Sequence, residues 1–144
     1  MKKKFLILAL LTSCLAFSQK WEESYEIAKS KADNSEGALL LVFAGSDWCA
    51  PCIKLDRYIF QSSEFIKYAG ENLILYKADF TRKKINRLGP EITEFNKSLA
   101  EKFNPKGYFP LAILLDGQEN VLGSFGYENQ PVEDYISYLK SVLK

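Results

Sequence analysis

Along the chain, stretches whose apolar residues recur every three or four positions alternate with stretches in which they run together. Trp21, Tyr25, Ala28 and Ala32 fall at helical spacing, which predicts an amphipathic helix closed near Gly37. Ala38 to Phe43 is uninterrupted apolar sequence between Gly37 and a Gly45-Ser46-Asp47 break, the pattern of a buried strand. A helix follows from Cys52 to Phe60 with Cys52, Leu55 and Ile59 on one face, and Glu64 to Tyr68 continues it or forms a second short helix. "NLILYKADF" reads as a strand, and Ile92, Phe95, Leu99 and Phe103 mark a helix that starts near Pro90. "PLAILLD" and "NVLGSFGY" are strands joined at Asp116-Gly117-Gln118-Glu119, a hairpin signal. Val132, Tyr135, Ile136, Leu139 and Leu143 line a last helix beginning near Pro131. The order is α, then βαβα, then ββα, which is an α/β domain without repeat or linker.

The first 18 residues stand apart from this pattern. Lys2, Lys3 and Lys4 precede an apolar run from Phe5 to Leu11 and a small-x-small ending at Ala16-Phe17-Ser18, as in a bacterial secretory signal. That run is too short to span a bilayer, which takes about 20 apolar residues. The expected division is a signal over 1–18, cleaved after Ser18, and one domain over 19–144. "LTSC" resembles a lipoprotein box, so a lipid anchor on Cys14 is the alternative. Loss of three lysines takes the chain from 19 basic and 18 acidic residues to 16 and 18, a formal net of −2. A mildly acidic domain argues against a nucleic-acid partner.

"DWCAPC" carries the chemistry. Once Cys14 is removed or lipidated, only Cys49 and Cys52 remain, and the chain has no histidine. Two thiolates fall short of the four ligands of a zinc site, so no metal is expected. Without imidazole, Cys-His and Ser-His-Asp catalysis are excluded as well. A staple across so short a loop restrains the unfolded chain little. Redox exchange is the remaining reading. Cys49 falls where the strand gives way to a helix, where free amides and the positive dipole end favour a thiolate. It is therefore expected to be acidified and exposed, with Cys52 one turn in, buried and acting second. Pro51 suits the first turn of that helix.

"LLLVFAGSDWCAPC", then "GYFPLAILLDG", "GSFGY" and a terminal helix resemble the thioredoxin superfamily across Gln19 to Lys144. The resemblance is nearest to secreted thioredoxin-like proteins and to the C-terminal domain of the bacterial inner-membrane thiol-disulfide reductase. It implies a thioredoxin fold, with a mixed central sheet of about four strands flanked by helices and an extra N-terminal helix. It makes Cys49 the attacking and Cys52 the resolving thiol, with Trp48, Ala50, Pro51, Phe109 and Pro110 contacting the substrate and Pro110 in cis. Tyr127 is read as a core aromatic.

Two departures bear on mechanism. The family's buried acid, six residues before the first cysteine, is replaced by Phe43, which leaves Lys77 without an obvious mate; Asp47 is read as a solvated loop residue. The link from Phe80 to Pro110 is also long, and Arg82, Lys83, Lys84 and Arg87 within it read as a solvated charge run that could face a partner. The expected protein is a monomeric periplasmic or secreted thiol-disulfide oxidoreductase, without cofactor or membrane span, that reduces client proteins and is recharged by a separate redox partner. A disulfide oxidase or isomerase and a non-catalytic binding domain are the alternatives.

Overall fold

A computed structural model describes residues 19–34 and 37–144; residues 1–18, read above as a signal with cleavage expected after Ser18 and with Cys14 as the alternative lipid anchor, lie outside the described residues. The apolar stretch forms β1 (Ala38–Ala44), every residue of which is buried. A strand buried on both faces belongs inside a sheet. β1 pairs in parallel with β2 (Leu73–Asp79) and antiparallel with β3 (Leu111–Leu115), and β4 (Val121–Phe125) follows at the edge, giving the order β2-β1-β3-β4. The Asp116 carboxylate accepts from the amides of Gln118 and Asn120 and shapes the β3-β4 hairpin. This is the thioredoxin fold, with a mixed four-strand sheet and helices on both faces.

The pleat of β1 divides the core. Ala38, Leu40, Val42 and Ala44 face a layer that holds both cysteines and the inner sides of α2 (Ala50–Leu55), α3 (Ser63–Asn72) and α5 (Val132–Val142). Leu39, Leu41 and Phe43 face α1 (Tyr25–Asn34) and α4 (Pro90–Phe103). Truncating a leucine in the middle of such a strand typically costs about 2–5 kcal/mol.

The structure corrects the sequence pattern in two places. Trp21 is not part of the first helix: the Ser24 hydroxyl caps α1 by accepting from the Ile27 amide, and Trp21 instead bridges to Leu75 of β2 and packs on Phe60 in the cysteine-bearing layer. The helix after the cysteines also changes pitch. Beyond Leu55 it opens into a π turn, Asp56–Phe60, closed by the Gln61 amide on the Asp56 carbonyl, and Ser62 then caps α3 as a separate helix. The wider turn admits the consecutive side chains of Ile59 and Phe60, each 1 % exposed, into one core.

Candidate redox site

β1 ends at Ala44, and on the next residue, Gly45, a Cβ would lie 2.3 Å from the Trp48 indole, so the ring folds directly over the turn. The chain re-enters helix at Cys49, the N-cap of α2, whose Sγ accepts from the Cys52 amide at 3.4 Å. Pro51 occupies the first turn, where no amide is needed. Cys49 and Cys52 form a disulfide with their Cα atoms 5.2 Å apart. The expected exposure of Cys49 is not found: the two cysteines are 5 % and 4 % exposed, because the bond ties the Cys49 side chain back into the first helical turn. Their asymmetry lies in position along the helix, with Cys49 at the cap and Cys52 inside.

The Phe109-Pro110 bond is cis, at the head of β3. Phe109 packs its ring 5.7 Å from that of Trp48 and 5.4 Å from that of Phe80, while the Trp48 indole N–H donates to the Phe80 carbonyl at 2.6 Å. Trp48, Phe109 and Tyr127 lie at the margin of the core cluster that contains the disulfide, and Ala50 and Pro51 are exposed beside it.

Behind Cys52 lies a cavity of about 160 Å³, room for several waters, with Val42, Ala44, Cys52, Asp56, Phe60 and Lys77 in its walls. Lys77 does have a mate: its Nζ is 2.9 Å from Asp56 Oδ1, and the Gln61 amide group donates to the other Asp56 oxygen. The ammonium also sits 4.7 Å above the Trp21 ring. Phe43 points into the opposite layer, and the β1 residue on the Cys52 side is Val42. Asp56 is the site residue that sequence reasoning missed. Its signal was available, since it follows Cys52 by four residues, one helical turn, and so shares its face.

Asp47 is not a free loop carboxylate. It accepts from the amides of Arg82 and Lys83, each at 2.9 Å, and from the Asn86 side chain at 3.1 Å. These bonds, the Arg82 amide first, outweigh the cost of desolvation and hold its carboxyl below the ordinary carboxylate range. Arg82 places its guanidinium 3.8 Å from the Trp48 ring centre. Lys83, Lys84 and Arg87 are exposed, as expected of a charge run, but on a loop anchored to the redox site. Among the described residues no cluster of three or more Cys, Asp or Glu side chains is placed to hold a metal ion.

A family model described as thioredoxin-like matches residues 20–117. The disulfide bond reductase DsbH of Chlamydia pneumoniae is 35% identical over 129 residues, which cover 90% of this chain and 75% of that protein. A solved structure of a DsbH oxidoreductase superposes with a TM-score of 0.81 at 33% identity, covering 88% of this chain and 85% of the other. The oxidised C-terminal domain of Neisseria meningitidis DsbD, at 15% identity and a TM-score of 0.56 over 85% of this chain and 98% of that domain, shares the fold.

Proposed function

We propose that this chain, which belongs to the thioredoxin-like family and is a thiol-disulfide oxidoreductase, works as a reductase of protein disulfides outside the cytoplasm. The observation that carries the direction is the composition of the cap. Cys49 Sγ receives the Cys52 amide, and only Ala50 and Pro51 separate the two sulfurs, so no histidine lends charge to the thiolate. A less stabilised thiolate makes the disulfide harder to reduce and the dithiol a better donor. The 35% identity to a protein named as a disulfide bond reductase supports the same direction.

In the reducing half-cycle the Cys49 thiolate attacks one sulfur of a client disulfide, forming a mixed disulfide and expelling the client's other sulfur as a thiolate. Cys52 loses its proton, attacks Cys49 Sγ and releases the client dithiol; two electrons have passed to the client and the Cys49–Cys52 bond has formed. Asp56, in the wall of the cavity that Cys52 also lines, is placed to take that proton directly or through water. Trp48, Ala50, Pro51 and Phe109 form the surface on which the client segment lies, with Pro110, which is buried, next to Phe109 in the chain. A separate dithiol protein restores the reduced pair.

The Lys2-Lys3-Lys4 tip, the apolar run and Ala16-Phe17-Ser18 support export with cleavage after Ser18 and a mature start at Gln19. The mass of the exported form tests the location. Equilibration with glutathione tests the direction: a potential nearer the about −270 mV of thioredoxin than the about −120 mV of DsbA is expected, together with accelerated insulin reduction by dithiothreitol. A potential at the oxidising end, or no acceleration with both cysteines intact, overturns the reductase reading.

A further inference from the structure

The loop after β2 carries Arg82, Lys83, Lys84 and Arg87 with no acidic residue between Phe80 and Pro90, in a chain whose formal net charge is +1. None of these four side chains makes an ion pair among the described residues. The carboxylates nearest in the fold are already engaged: Asp47 by the loop's own backbone and Asn86, and Asp79 by the amide and hydroxyl of Ser46. Positive charge is therefore concentrated on one short segment, where four cations outnumber the charge of the Asp47 carboxylate, with which Lys83 interacts electrostatically.

Its placement is fixed from the redox side. Asp47 stands two residues before Cys49 and binds the loop at three points, Phe80 accepts from the Trp48 indole, and Arg82 lies over that indole. The loop is thus a wall beside Trp48 and Phe109, and Ile85 at its tip is 92 % exposed. A polypeptide that brings a disulfide to Cys49 across the Trp48-Phe109 surface passes these cations.

Resting on the reductase reading above, we infer that the 82–87 loop is a docking surface for an acidic polypeptide segment that flanks the disulfide to be exchanged. Arginine and lysine at the rim of an interface steer and select acidic partners through complementary potential. Paired with the family's apolar surface, which accepts any extended segment, the loop adds selection by charge. An anionic bilayer drawn down by the same cations would cover Cys49 and shut out clients, so the geometry favours a polypeptide.

Two peptides of one sequence, each closed by an internal disulfide and flanked by either Glu or Gln, decide the matter when titrated into the oxidised protein and followed by tryptophan fluorescence. The Glu peptide is expected to bind roughly tenfold more tightly at about 20 mM salt and within about twofold of the Gln peptide at about 0.5 M. The triple variant Lys83→Gln, Lys84→Gln, Arg87→Gln should level the two. Equal binding of both peptides by the unaltered chain overturns the inference, as does a preference that survives in the triple variant. Saturable binding to phosphatidylglycerol vesicles with no preference between the peptides assigns the loop to a membrane and overturns it too. Reduction of the Gln peptide by the reduced protein is a separate readout: its absence sinks the reductase reading, while the ratio of affinities still decides the docking surface.

Discussion

Lys77 Nζ lies 2.9 Å from Asp56 Oδ1, in the wall of the cavity that Cys52 shares. The pair joins β2 to the start of the π turn, and it sets a carboxylate in the same cavity wall as Cys52, the thiol proposed above to lose its proton and resolve the mixed disulfide.

Asp56→Asn is therefore expected to lengthen the life of the mixed disulfide by roughly tenfold or more, the low end of what a positioned base contributes, because cavity water can replace part of its role. First attack by Cys49 should be unchanged. Both side chains are partly exposed, so stability should fall by no more than about 1 kcal/mol. Rapid quenching of a reaction with a disulfide peptide, resolved by mass at several pH values, reads the intermediate directly. Equal lifetimes in the two proteins would remove Asp56 from the mechanism.

Asp47 ties the basic loop to the redox turn, and its lowered pKa gives that tie a pH signature. The folded form holds the carboxylate ionised, so the anchoring is complete above the ordinary value of 3.8 and is lost as pH falls through the lower folded value. Protection of the Arg82 and Lys83 amides, taken as the intrinsic exchange rate over the observed rate at the same pH, should be high near pH 5 and fall only below about pH 3.8. In Asp47→Ala it should be low throughout. Protected amides in that variant would show that the loop is held by something else.

The hydrophobic pattern was enough for the sheet because β1 is apolar at every position, and only the interior of a sheet accommodates that. It failed at Trp21, whose helical spacing from Tyr25 is real in sequence, yet whose ring packs on the opposite side of the sheet. The cysteine pair, the cis Pro110 and the surrounding aromatics were legible because family likeness is carried by short motifs. Asp56 was legible in part, since its four-residue spacing from Cys52 is in the sequence, but its pairing with Lys77 joins it to a strand 21 residues away. The Asp47 anchor was not legible at all, because it depends on a loop 35 and 36 residues away, and one-dimensional spacing encodes neither of these partners.

Gly45→Ala should displace Trp48, because the added Cβ would fall within 2.3–2.6 Å of three indole atoms. The ring also donates to Phe80 and stacks with Arg82, so the whole rim of the site shifts with it. Overpacking of this kind costs about 1–3 kcal/mol. Tryptophan emission should move and insulin reduction should slow severalfold, with Cys49 still open to alkylation in the reduced protein. Unchanged emission and rate would mean that the turn adapts elsewhere.

Tyr135 sits in the core among Phe60, Phe65 and Phe125 at 1 % exposure, and its hydroxyl has no hydrogen-bond partner among the described residues. A buried hydroxyl without a partner costs about 1–3 kcal/mol, so Tyr135→Phe, which keeps the ring contacts, should stabilise the fold by about 1 kcal/mol and raise Tm by roughly 3–5 °C. The same burial drives the Tyr135 pKa well above 10.0. With the folded value raised, stability is intact below the unfolded value near 10 and is lost as pH climbs from there toward the folded one. Tyr25, Tyr68 and Tyr76 are shifted in the same direction and contribute to the alkaline loss in both proteins. The variant lacks one of these protons, so above pH 10 its stability should decline less steeply by about 1.4 kcal/mol per pH unit. Urea unfolding at pH 8, 10, 10.5 and 11 measures both effects. A lower Tm in the variant, or parallel alkaline slopes, would show that the hydroxyl is satisfied in solution.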